Sequence, residues 1–507
     1  MRKYLSMLLV FILVLTASLL PAYAEEQPEA SAPAAQVLQD NLVVNEHEAV
    51  IQGQRVPYTA TTGTMALSSS LGQYEIFFTA YTRSDVDDVT QRPITFAFNG
   101  GPGSASLWLQ LGFLGPRRLE LDPVGLATQL PVKMIDNEYS ILDMTDLVFI
   151  DPVGTGYSHV LEGTKEDAFY TYDGDLKSVG DFIRLYINRY HRWGSPKYLA
   201  GESYGTTRAV GLYKYLADTY CLPMNGLMLI SSCNNFASLD FTPGNELPYA
   251  LYLPTYAADA WYHGKLDAKY QEMSLESLMD EVRGFASGAY EAALFKGRSI
   301  PDEERAAVAA QMAAYTGLSE EFVLASNLRV DPDSFCLELL KDDKMMVGRL
   351  DGRIAGPVTS GSLGDGENDP SSSSGDIAFS ATMSQYITEE LDFQTDRPYE
   401  VISDDVNERW KFGLDNQVIS QENTIYEAMS KNPFLKIWVL CGYYDAATPF
   451  YAAEWVYNHV FINDALVDNL SFTYYPSGHM IYLDAESLDP LHRDAQSWYG
   501  AAAAQQG

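Results

Sequence analysis

Ser203 sits in the stretch LAGESYGTTRA (199–209), with Gly201 and Gly205 two residues to either side of it. The apolar YLA ahead of it reads as a strand, and TRAVGLYKYLADTY behind it reads as a helix. A serine at that junction stands on a tight strand-to-helix turn, where the two glycines keep other side chains clear of its hydroxyl. A serine hydroxyl is a weak nucleophile on its own. It needs a base to take its proton and a third group to hold the base.

On this arrangement the acid and then the base follow the nucleophile along the chain, each on a loop after a strand. Asp445 follows IWVLCGYY, and His479 follows SFTYYPSG. Among the other downstream histidines, His263 falls in a helical region, whereas His459 and His492 lie in helix-like segments and read as solvated surface residues. Asp464 and Asp484 compete with Asp445, but neither directly follows a strand. The expected chemistry is attack by Ser203 on a carbonyl with His479 as base and Asp445 as its anchor, passing through an acyl-enzyme. The tetrahedral intermediate also needs donors for its oxyanion, and PITFAFNGGPGS (93–104) supplies a glycine-rich turn directly after a strand.

The elements that would position these groups alternate. AVIQG, YEIFFTAYT, PITFAF, DLVFID, PKYLAG and GLMLIS are strand-like and separated by turns and helical stretches, the pattern of a mostly parallel sheet flanked by helices. Then the period changes: Leu275, Leu278, Met279, Val282, Phe285, Ala286, Ala289, Tyr290, Ala293 and Leu294 recur at helical spacing, and a second helix is expected to start at Pro301 with Asp302 and Glu303 in its first turn. Strand signals return at FLKIWVLCG and LSFTYYP. The expected fold class is therefore α/β: an α/β-hydrolase fold with a mostly parallel central sheet and a helical cap insertion. The core occupies 46–235 and 426–507, and the cap 236–425, with a disordered loop near 359–376 (TSGSLGDGENDPSSSSGD).

Residues 1–24 have a basic start, an apolar stretch and an A-x-A ending, which describe a secretory signal peptide, followed by a flexible segment over 25–45. The expected location is secreted or otherwise extracytoplasmic, with no stable membrane insertion after the signal is removed. Cys221, Cys233, Cys336 and Cys441 are too scattered for a disulfide framework, leaving one bridge or free buried thiols. No C-x-x-C or H-E-x-x-H offers a metal site, and no cofactor is expected. A formal net charge of -35 argues against nucleic acid as a partner, because polyanions would be repelled.

NGGPGS (99–104), DPVGTGYS (151–158), GESYG (201–205), GYYD (442–445) and SGHM (477–480) together resemble the serine carboxypeptidase family, here in the form of a bacterial-type secreted member. The resemblance runs through the whole mature chain in outline and implies removal of single residues from peptides with free C-termini. It matches Ser203, Asp445 and His479 to the triad, and the backbone amides of Gly101 and Tyr204 to the oxyanion hole. It matches Asn99, the Gly100 amide and Glu202 to the groups that bind the substrate carboxylate. Two departures stand out. Ser104 replaces a cysteine usual in the family's eukaryotic members, and Phe113 replaces a second carboxylate-binding glutamate, for which Arg117 or Arg118 is the expected substitute. An esterase or acyltransferase would use the same triad, since an acyl-enzyme does not dictate its acceptor. A non-catalytic binding protein has no use for an intact triad.

Overall fold

ITFAF, DLVFI, KYLAGE, GLMLI and KIWVLCG are apolar along most of their length, and each forms a strand buried at every position. A strand with no wet face must be covered on both sides, which is the situation of parallel strands in the middle of a sheet. The computed structural model describes residues 38–358, 369–413 and 418–504, and from Gln39 onward the chain forms a single unit. Its main sheet has ten strands. The order is Asn41–Ile51, Gln54–Ser69, Gly72–Arg83, Asp146–Ile150, Ile94–Phe98, Lys197–Glu202, Gly226–Ile230, Lys436–Gly442 and Leu470–Tyr475, with His159–Val160 beside the third. The pairings among the first four strands are antiparallel, and every pairing from Asp146–Ile150 onward is parallel.

Successive residues of a strand face opposite layers. Phe96, Leu199 and Leu229 enter one apolar cluster. Ala97, Tyr198, Ala200 and Met228 enter the other. Between Gly226–Ile230 and Lys436–Gly442 the chain is mainly helical, including Leu247–Tyr262, Leu275–Phe285, Asp302–Thr316, Ser373–Gln385 and Glu422–Lys431. The stretch from Leu275 to Leu294 is an α-helix to Phe285, a π-turn over Ala286–Tyr290 and a further α-helix from Glu291. The next helix starts at Asp302, with Pro301 as its N-cap and Asp302, Glu303 and Glu304 in its first turn.

Two segment boundaries need correction. The flexible segment expected over 25–45 ends earlier, because Asn41 already pairs with Thr64 in the first hairpin. Of the loop expected near 359–376, the part from Ser373 is the start of a helix, while 359–368 lie outside the described residues, as does the expected signal peptide. Among the described residues no helix is long and apolar enough to cross a membrane, and all four cysteines are free, with Cys221 exposed and the other three buried.

Candidate active site

Parallel strands bring their carboxyl ends to one edge of a sheet, and the loops there are where α/β folds gather chemistry. Phe98 pairs with Gly201, and Ile230 with Glu202, so Asn99 and Ser203 leave neighbouring strand ends side by side. Gly442 pairs with Tyr475 on the next two strands, whose loops carry Asp445 and His479.

Ser203 has φ 57° and ψ -129°, a conformation costly for a residue with a side chain and held only by its surroundings. Its N–H donates to the Ile230 carbonyl at 3.0 Å, and its carbonyl accepts from Thr206 N at 2.8 Å as the helix begins. The turn closes tightly enough that a Cβ on Gly201 would sit 2.1 Å from the Gly205 carbonyl oxygen. The Asn99–Ser104 turn packs directly on it, since a Cβ on Gly100 would lie 2.6 Å from Tyr204 N and 3.0 Å from Ser203 Cβ. Only glycine lets the two backbones approach this closely.

His479 Nδ1 donates to Asp445 Oδ2 at 2.8 Å, which leaves Nε2 as the free acceptor. Asp445 is fully buried, and its Oδ1 accepts from Ala447 N at 2.8 Å and Thr448 N at 2.9 Å, while Thr448 Oγ1 donates to Oδ2 at 2.7 Å. Burial would raise the Asp445 pKa, but the His479 charge and these bonds hold it below the ordinary carboxylate value. Burial would lower the His479 pKa, and the Asp445 carboxylate overrides it, so the imidazole is more basic than usual.

Glu202 is 4% exposed, and its Oε1 accepts from Asn99 Nδ2 at 2.8 Å. Oε2 is buried without a hydrogen-bond partner, and so is the Tyr482 hydroxyl. Burial pushes the Glu202 pKa up to about 7, against the opposing effects of His479, Tyr482 and Asn99. A cavity of about 540 Å³ is lined by Asn99, Gly100, Gly101, Glu202, Ser203 and His479, and also by Trp108 and Arg349.

Arg117 and Arg118 do not reach this cavity. Arg117 is held by Asp136 and by Glu390 at 2.9 Å, and Arg118 lies over the Tyr139 ring with its guanidinium donating to Leu119 O at 3.4 Å. The short Arg117–Leu119 strand pairs with Met134–Asp136, and neither arginine is among the residues that line the cavity, so the expectation that either stands in there for the missing glutamate is not met. Phe113 is fully buried and stacks on Tyr482 at 6.4 Å. His492 is another correction: it is 3% exposed and bonds Asp143 at 3.2 Å. Thr448 and Arg349 were not anticipated. The first had a readable signal in its place three residues after Asp445, where a hydroxyl can fold back on the carboxylate. The second had none, since it comes from the cap.

Residues 52–217 match the family model described as serine carboxypeptidase. The pheromone-processing carboxypeptidase KEX1 of Saccharomyces cerevisiae is 34% identical over 139 residues, 26% of this chain and 18% of that protein. Serine carboxypeptidase-like 29 of Arabidopsis thaliana is 28% identical over 159 residues, 30% of each chain. The alignments thus span less than a third of the length of these curated relatives. The crystal structure of a prohormone-processing carboxypeptidase from Saccharomyces cerevisiae superimposes with a TM-score of 0.57 at 15% identity, covering 87% of this chain and 92% of that one, a likeness of fold. Over residues 52–217 the chain is thus similar to the serine carboxypeptidase family, and over most of its length it shares the fold of one of its members.

Proposed function

We propose that this protein is a secreted serine carboxypeptidase, releasing single residues from peptide C-termini through an acyl-enzyme on Ser203. The observation that carries the reading is the strained Ser203 lining one cavity with both His479, anchored on Asp445 at 2.8 Å, and the buried Asn99–Glu202 pair. The relatives named above are described as carboxypeptidases.

Ser203 Oγ attacks the scissile carbonyl while His479 Nε2 takes its proton, and Asp445 stabilises the imidazolium that forms. The amides of Gly101 and Tyr204 receive the oxyanion. The imidazolium then protonates the leaving amine, and a water activated by the same nitrogen hydrolyses the acyl-enzyme. Asn99, the Gly100 amide and protonated Glu202 offer donors to the free α-carboxylate, fixing the scissile bond one residue inward.

A site built around a carboxylate rejects the amide, because its own polar groups are then left unpaired. An N-blocked dipeptide should be cleaved on the order of 100-fold faster than its C-terminal amide if about 3 kcal/mol of contact is lost. A fluorophosphonate should label Ser203, and Ser203→Ala should abolish turnover. Equal rates on acid and amide would overturn exopeptidase action; full activity in Ser203→Ala would overturn the nucleophile.

A further inference from the structure

Arg349 is the only permanent cation among the described residues that line the catalytic cavity. In a chain with 68 acidic and 33 basic residues, most arginines among the described residues are paired with carboxylates. The Arg349 side chain is exposed and has no hydrogen-bond or ion-pair partner among the described residues. Its backbone, by contrast, is fixed on both sides of the triad. Arg349 N donates to Asp369 Oδ2 at 3.1 Å, Arg349 O accepts from Ala446 N at 3.0 Å, and the next carbonyl, of Leu350, accepts from His479 N at 2.6 Å. The cap therefore places Arg349 against the loops of both the acid and the base, on the cavity wall and close enough that its charge is felt at His479. Other titratable groups on the cavity wall are Glu202 and Asp376.

A guanidinium held open in a cleft offers forked donors whose geometry matches a carboxylate bidentately. We infer that Arg349 recognises a carboxylate of the C-terminal residue that the enzyme releases, a role resting on the carboxypeptidase reading above. The carboxylate is either the α-carboxylate, reached together with Asn99 and Glu202, or an acidic side chain of that residue. Arg349 thereby takes the part that the sequence suggested for Arg117 or Arg118.

The test uses four N-blocked dipeptides with a common first residue, ending in Phe, Phe-amide, Glu and Gln, on wild type, Arg349→Gln and Arg349→Lys. Arg349→Gln should raise KM for the recognised carboxylate about tenfold or more, the loss expected for a hydrogen bond to a charged group, with a much smaller change in kcat. Arg349→Lys should recover part of the loss. A collapse of the Phe over Phe-amide preference identifies the α-carboxylate; a collapse of the Glu over Gln preference identifies the side chain. If both preferences survive Arg349→Gln, the inference is overturned. A wild type that does not prefer acid over amide would instead overturn the carboxypeptidase reading, a distinct result. As a measurement needing no Arg349 variant, the Phe dipeptide or the Glu dipeptide should protect Arg349 from phenylglyoxal in Ser203→Ala protein. Modification unaffected by either peptide counts against the inference.

Discussion

Asp445 is held by two backbone N–H groups and one hydroxyl, and only the hydroxyl can be deleted by substitution without touching the triad. Thr448→Val keeps the volume and removes the bond to Oδ2. It should lower kcat/KM about tenfold, the worth of one hydrogen bond to a charged group, with thermal stability little changed. Unchanged kinetics would show that the backbone donors suffice. Glu202 sets a pH dependence. Its pKa of about 7 means that it is protonated, and a donor, below neutrality. Above that it is, on the proposed function, an anion facing the substrate carboxylate, and like charges in a buried site repel. Wild-type KM should therefore be low and flat in acid and rise as pH climbs past about 7. In Glu202→Gln, KM measured over the same range should lose that rise. A wild-type KM flat into the alkaline range would remove Glu202 from carboxylate binding.

The helix Tyr204–Tyr220 after the nucleophile steadies the Asn99 turn through one buried arginine. Arg208 Nε donates to Asp175 Oδ2 at 2.8 Å and Arg208 Nη1 to the Asn99 carbonyl at 2.7 Å, with both side chains almost fully buried. Burial raises the Asp175 pKa even with Arg208 beside it. Arg208→Met should destabilise the fold by about 3–5 kcal/mol, because it strands a buried charge. The loss should be smaller at pH 4 than at pH 8, since the stranded carboxyl escapes its penalty by taking up a proton. Denaturant unfolding at the two pH values checks both statements, and an equal loss at each would show that packing, not charge, is what Arg208 provides.

Across the molecule, cap and core are joined under the triad by Arg353. It contacts Asp351 at 2.7 Å, Asp484 at 2.7 Å and the Pro476 carbonyl at 2.7 Å, so one side chain ties the cap segment that carries Arg349 to the loop that carries His479. Arg353→Met should destabilise the fold by about 3 kcal/mol or more for two stranded carboxylates and lower kcat by loosening His479. Retained kcat in the variant would show that the base loop is positioned without the cap. Much of this molecule was legible in the sequence. Apolar runs marked the central strands because a strand buried on both faces can carry few polar residues, and the Ser203 turn was visible because close backbone contact demands glycine. His479 and Asp445 followed from strand-then-loop order, which is local information. The antiparallel hairpin over residues 41–69 was read only in part, since its alternation is weak on a half-covered edge. What only the tertiary structure decided is how charges meet across long separations. Arg117 and Arg118 looked available, but Asp136 and Glu390 engage Arg117 and neither arginine lines the cavity, whereas Arg349, which carried no signal in the sequence, lines it together with His479. Hydrophobic pattern and turn chemistry are written within one element, whereas the partner of a long charged side chain is set by which elements pack together, and no periodicity along the chain records that.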